Sequence, residues 1–185
     1  PGLLRRLRTS MPGLTVRFTE ASLDGVSDAV MRETAEFGVT YDLGAPDEIV
    51  AKTVYQLQPR VICAADHAFA SRPSVALSEL HDEQLILLDQ PMSAQYVLGM
   101  LRASGATPTV EARVKGFELQ RAFVANGLGV AVTHTIPHAS TSYDGLPLKS
   151  VAISDALPAQ RVLLIRQKRQ SARAIIARAE SEILK

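Results

Sequence analysis

The chain has 185 residues, 46% of them hydrophobic and 21% charged, with a formal net charge of +1. That length and apolar content suit one large domain or two small ones with a sizeable core, and they exclude disorder as the overall state. A near-neutral total excludes a protein that coats nucleic acid, and no apolar run approaches the roughly 20 residues that cross a bilayer.

In chain order, residues 2–9 carry Leu3, Leu4 and Leu7 at helical spacing, broken by Met11-Pro12-Gly13, where Pro lacks an N–H. Leu14 to Thr19 alternates and is β-branched, which predicts a strand. Ser22 is placed to cap a helix with Leu23, Val26 and Val30 on one face. Phe37 to Tyr41 reads as a short buried strand, followed by a turn over 42–46. Thr53 to Ala65 is extended but interrupted by Pro59, which cannot donate in a central ladder, so the chain is expected to bend or change sheet there. Leu85 to Leu88 is an apolar strand; Ser93 then caps a helix with Tyr96, Val97, Met100 and Leu101 inward, closed by Gly105. Thr109 to Val114 alternates as a strand, and Phe117 to Asn126 reads as a helix with Leu119 and Phe123 on one face and Gly127 as its stop. Strands are expected at 129–133, 146–153 and 161–166, and a closing helix at Ala172 to Leu184. Strands alternating with helices imply a mainly parallel α/β sheet. Two lobes, 1–57 plus 163–185 and 58–162, account for the two long extended crossings.

Catalytic signatures are missing. The chain has no G-x-S-x-G elbow, no phosphate-binding G-x-x-x-x-G-K and no G-x-G-x-x-G. Gly127-Leu128-Gly129 follows a helix and reads as its C-terminal stop and turn. His134 and His138 have i,i+4 spacing, but Pro137 lies between them and no acid or Cys completes a ligand set, so no metal and no cofactor are expected. The lone Cys63 cannot form an internal disulfide, which suits a reducing cytoplasm, and its apolar strand predicts a buried, inert thiol. An enzyme is not expected. The better-supported features are helix starts after strands, where free N–H groups and the helix dipole favour an anion. Ser93 begins one such helix, Ser22 a second, and Gly116-Phe117-Glu118 a third. Each serine serves equally well as a plain cap of its own helix.

The run PGLLRRLR at 1–8 with MPGLTVRFTE at 11–20 resembles the opening of the effector-binding domain of LysR-type transcriptional regulators. EFGVTY at 36–41, ADHAFA at 65–70, SEL at 78–80 and VANGLGVA at 124–131 are similar to that family's successive segments, in collinear order. Asp89, Pro91 and Ser93, and Tyr143-Asp144-Gly145, resemble one subgroup. Glu36 stands where the family has Asp, and Ala68 rather than Pro follows His67. The resemblance implies a periplasmic-binding-protein type II fold, two α/β lobes joined by two crossover strands with a ligand cleft between them. It implies effector contacts at Ser22, Tyr41 and Asp42 in the first lobe, and at Gln90, Met92, Ser93, Phe117, Glu118, Thr133 and His134 in the second. Two opposed helix starts suit a carboxylate-bearing metabolite, and Asp42, Asp89 and Glu118 leave an amino-acid-like zwitterion open. The resemblance also implies a homodimer or homotetramer, no membrane partner, and DNA contact only through an N-terminal helix-turn-helix. Pro1 in place of an initiator Met reads as a cut through a longer protein that lacks this helix-turn-helix and the lobe's first strand. A solute-binding component of a transport system with the same fold is the alternative.

The charge is uneven. Residues 1–20 carry +3 and residues 161–185 carry +5, leaving −7 for 21–160. With both basic ends in one lobe and the acidic middle largely in the other, antiparallel pairing is expected to set each basic lobe against its partner's acidic one.

Overall fold

The computed structural model describes residues 2–42, 44, 46–169 and 174–184. These form two compact units, unit 1 (Pro1–Leu57 and Gln160–Lys185) and unit 2 (Gln58–Ala159).

In unit 1, α1 (Gly2–Ser10), α2 (Leu23–Met31) and α5 (Ala174–Ile183) accompany a three-stranded sheet of β1 (Gly38–Tyr41), β2 (Ile49–Leu57) and β9 (Gln160–Gln167). β9 lies in the centre and runs antiparallel to both neighbours. Its run Leu163-Leu164-Ile165 is buried throughout because both of its faces are covered. Leu164 packs with Leu7, Met11, Ala179 and Ile183, while Leu163 and Ile165 pack with Val30 and Ile49. Arg166, one position on, is also buried, and its Nε donates to Glu180 Oε1 at 3.0 Å. Glu180 takes a second cation, Lys52 Nζ, at 2.9 Å.

Leu14 to Thr19 is not a strand: it makes no ladder among the described residues. Leu14 and Val16 rest partly buried on the Leu164 cluster, so the alternation is real, but Phe18 is 73% exposed and no strand lies alongside. Leu43 and Ala45 of the expected turn, and Ala172 and Arg173 of the expected last helix, fall outside the described residues.

In unit 2, β3 (Arg60–Ala64) pairs antiparallel with β7 (Ala131–Thr133) and β8 (Leu148–Ile153), and β4 (Ser74–Val75) adds to β8 in parallel. β5 (Gln84–Leu88) and β6 (Thr109–Val114) pair in parallel, and a parallel bridge from Leu85 to Val130 brings β7 beside β5. α3 (Pro91–Ala103) connects β5 to β6, and α4 (Phe117–Ala125) connects β6 to β7. The expected mainly parallel sheet is therefore confined to β5, β6 and β7, where helices make the crossovers. Apart from the short parallel β4–β8 pair, the other ladders are antiparallel; in unit 1 this follows because β2 leaves the unit, β9 returns to it, and strands side by side in that arrangement run opposite ways. The change of sheet at Pro59 is found: β2 belongs to the β9 sheet and β3 to the β8 sheet.

The face of α4 also differs from expectation. Leu119 is 40% exposed, whereas Gln120, Arg121, Ala122 and Val124 are buried. Gln120 Nε2 donates to the Ile86 carbonyl at 2.8 Å, which offsets part of the cost of burying the amide, while its Oε1 is buried without a hydrogen-bond partner among the described residues. Gly127 closes α4 with φ +74, its N–H donating to Val124 and that of Leu128 to Phe123, a Schellman closure. Cys63 is buried, and burial, with the Glu83 charge adding, pushes its thiol up to about 11, so it stays protonated.

The acidic stretch does not fall where the charge split implied. Residues 21–57 hold two basic and seven acidic residues, so −5 of the −7 belongs to unit 1 together with both basic ends. Unit 1 carries +3 and unit 2, with seven basic and nine acidic residues, −2.

Candidate functional site

Because β5, β6 and β7 run parallel, their carboxyl ends lie on one edge of unit 2. Three chain segments leave from that edge: Asp89-Gln90 into α3, Lys115-Gly116 into α4, and Thr133-His134. The topology therefore brings together Gln90, Met92, Ser93, Phe117, Glu118, Thr133 and His134, at the position where open α/β sheets seat ligands.

Ser93 is not the cap of α3. The helix begins two residues earlier, because Pro91 fixes a helical φ at the first position and its missing N–H is one the helix would not have used. Gln90 is the N-cap and makes no side-chain cap bond, and the first intrahelical bond is Ala94 N–H to Gln90 O at 2.8 Å. The N–H groups of Met92 and Ser93 are thus those the helix leaves over. α4 starts likewise after Gly116, with no side-chain cap and Gln120 N–H bonding Gly116 O at 3.0 Å.

Each acidic candidate already has a cation within its own unit. Asp89 Oδ1 accepts from Arg113 Nη1 at 3.2 Å, and Glu118 Oε1 lies 3.2 Å from Arg121 Nε. In unit 1, Asp42 pairs with Arg161, and its backbone N–H donates to Arg161 O at 2.9 Å. Arg121 matters beyond its charge. It is 3% exposed, its Nη2 donates to Ala139 O at 2.9 Å and Thr141 O at 2.6 Å, and its guanidinium carbon lies 5.9 Å from the Phe117 ring centroid. One side chain therefore ties the start of α4 to the segment after His134. Arg121→Met is expected to cost about 2–3 kcal/mol, since two carbonyls lose a charged donor. Urea unfolding measures the loss, and amide exchange over 135–142 should rise while exchange in β3 does not.

Thr133 is buried, and its Oγ1 accepts from Thr135 N–H at 3.1 Å. His134 Nε2 is buried with no hydrogen-bond partner among the described residues. The imidazole lies 5.6 Å from the Tyr96 ring, tilted by 55°, and burial lowers its pKa below the ordinary histidine value.

In unit 1, Ser22 is the N-cap of α2, its Oγ accepting from Gly25 N–H at 3.2 Å, so its hydroxyl already serves its own helix. Tyr41 ends β1 opposite Val162, and Asp42 follows it. Two of the remaining histidines have structural partners: His67 Nδ1 accepts from Phe69 N–H at 3.1 Å, and His81 Nδ1 from Thr107 N–H at 3.3 Å. Among the described residues no three His, Cys, Asp or Glu side chains cluster as a metal site, and no helix is long and apolar enough to cross a membrane.

Sequence reasoning missed Arg121, Arg113, Arg161 and the Tyr96–His134 contact. Arg121 follows Glu118 at i,i+3, a spacing readable on a helix. The other three partners come from different elements, which local spacing does not reveal.

Solved structures match the whole fold. The C-terminal domain of a probable LysR family transcriptional regulator from Rhodococcus sp. RHA1 is similar at TM-score 0.94 and 24% identity, covering 100% of this chain and 91% of that one. HinK, a LysR family transcriptional regulator from Pseudomonas aeruginosa, matches at TM-score 0.90 and 22% identity over 99% of this chain; this chain spans 64% of HinK. The effector-binding domain of BenM, solved with its effector benzoate, matches at TM-score 0.84 and 17% identity, covering 99% of this chain and 83% of that one. A family profile described as the LysR substrate binding domain matches residues 1–180, so the chain belongs to the LysR substrate-binding domains, parts of non-enzymatic transcriptional regulators with a periplasmic-binding-protein type II fold.

Proposed function

We propose that this effector-binding domain takes a small carboxylate-bearing metabolite at the carboxyl ends of β5, β6 and β7, and that binding shifts the populations of the full regulator's states at its DNA. The observation that carries this reading is the pairing of Asp42, Asp89 and Glu118 with Arg161, Arg113 and Arg121. With the acids neutralised, the leftover N–H groups of α3 and α4 set the preference, and those favour an anion. The same pairing weighs against an amino-acid-like ligand, whose ammonium would have to compete with an arginine. Benzoate, the effector with which the BenM domain was solved, is itself a carboxylate. Ser22, Tyr41 and Asp42 join as contacts on the strength of the family's pattern alone. Homodimerisation is proposed on the same ground, with units of opposite net charge, +3 and −2, favouring contact between unlike units.

A thermal-shift screen of matched carboxylates and amines tests the ligand class. Carboxylates are expected to raise the melting temperature and amines to leave it unchanged. Ser93→Asp, which puts a negative charge in the first turn of α3, should weaken any carboxylate hit tenfold or more. Stabilisation by amines, or a carboxylate that binds Ser93→Asp as tightly as the parent, would sink the anion reading. Light scattering of the same sample reads the oligomer, and a strict monomer at high concentration removes the pairing claim.

A further inference from the structure

The Nε2 of His134, without a partner among the described residues, calls for an explanation, because native structures leave few buried polar atoms unbonded. It sits one residue beyond β7, beside the Tyr96 ring of α3, on the edge where the three parallel strands end. We propose that His134 recognises a hydroxyl group on the effector, so that the ligand is a hydroxy-carboxylate rather than a simple acid. This rests on the carboxylate reading above and names a second determinant within the same site.

The argument is one of matching donors and acceptors. Burial keeps the ring neutral, and a neutral imidazole presents a donor on one nitrogen and an acceptor on the other. A hydroxyl both donates and accepts, so it satisfies Nε2 in either tautomer. A carboxylate only accepts and an ammonium only donates, so each demands one tautomer. The carboxylate, moreover, already has the N–H groups at the starts of α3 and α4. A site built to bond a hydroxyl rejects the analogue that lacks it, because the buried polar atom is then left unpaired a second time.

The test is isothermal titration of the 185-residue chain with three matched probe pairs: propionate and lactate, benzoate and 3-hydroxybenzoate, cyclohexenecarboxylate and shikimate. In at least one pair the hydroxylated member is expected to bind tenfold or more tightly. His134→Phe should bring that ratio to within about twofold, and His134→Gln, which keeps a hydrogen-bonding group, should retain part of it. The melting temperature of His134→Phe should not fall, since an apolar ring replaces an unsatisfied polar one. On the unaltered chain, the ring-nitrogen resonance of His134 should move with the hydroxylated probe and not with its deoxy partner, a readout that does not depend on any variant folding. Equal binding within every pair, or a preference that survives His134→Phe, overturns the inference and leaves the carboxylate reading standing. If no carboxylate binds at all, the carboxylate reading falls and this inference falls with it.

Discussion

Glu180→Ala is expected to lower the unfolding free energy by about 3–5 kcal/mol, the usual consequence of removing one partner of a buried ion pair. Glu180 and Arg166 are each only 10% exposed, so the substitution strands a guanidinium between β9 and α5 with no counter-charge at its Nε. For a chain of this length that corresponds to a fall of roughly 10 °C in melting temperature. Removing both charges together, as Arg166→Met with Glu180→Leu, should recover most of the loss, because well-packed apolar side chains can replace a buried pair. The pH dependence has a definite sign. Burial by itself raises the Glu180 carboxyl, but the hydrogen bonds and charges of Lys52 and Arg166 outweigh it, and the net is a value below the ordinary 4.5. A carboxyl depressed in the folded state stabilises the fold above its unfolded value, and that stabilisation disappears as pH falls through the folded one. Wild type should therefore lose stability relative to the double variant below about pH 4.5. A loss under about 1 kcal/mol for Glu180→Ala at neutral pH would show that the pair is solvated like a surface bridge.

Gly129→Ala should be nearly as damaging, at about 3 kcal/mol or more, by a different route. Gly129 has φ +152, and a Cβ there would lie 2.9 Å from the Gln84 carbonyl carbon and closer still to its oxygen. The obstacle is backbone, so no rotamer relieves it. The strands must separate, and with them go the two 2.8 Å bonds that join β7 to β5, Val130 N–H to Gln84 O and Ile86 N–H to Val130 O. Since β7 delivers Thr133 and His134 to the candidate site, the variant should lose its ligand response as well as its stability. Gly127→Ala is the control: its φ of +74 needs glycine, but nothing lies within 4 Å of the added methyl, so the cost should be near 1 kcal/mol and Asn should relieve part of it. Equal melting temperatures for the two alanine variants would remove the argument from close approach.

The sequence made the punctuation of the fold legible. Pro12, Pro59 and Gly127 each act through their own backbone, without help from distant residues, and each marks the boundary it was read to mark. What needed a second element was not legible. Leu14 to Thr19 has strand composition, but a strand exists only with a partner, and composition does not supply one. Apolar type puts Leu119 and Phe123 on one face of α4, yet Phe123 packs on the core, Leu119 is 40% exposed, and the polar Gln120 lies inside with its Nε2 on the Ile86 carbonyl. Ser93 was read as a cap from its type, while Pro91, which sets the helix start, lay two residues earlier. The arginines that neutralise Asp42 and Asp89 sit across a sheet, at sequence separations of 119 and 24. Those two ion pairs weigh against the amino-acid-like zwitterion that the acids alone leave open, and are part of what supports the carboxylate proposed above.

The insertion of unit 2 between β2 and β9 has a consequence for synthesis. Leu57 and Gln160 are direct neighbours in the β2–β9 ladder, so the 102 residues between them depart from and return to one point of unit 1. β9 is the middle strand of that sheet, and β1 and β2 touch it rather than each other. As the chain emerges from the ribosome, residues 58–159 can complete their own core while β1 and β2 still lack the strand that joins them. Residues 1–57, made before unit 2, thus close their sheet after it.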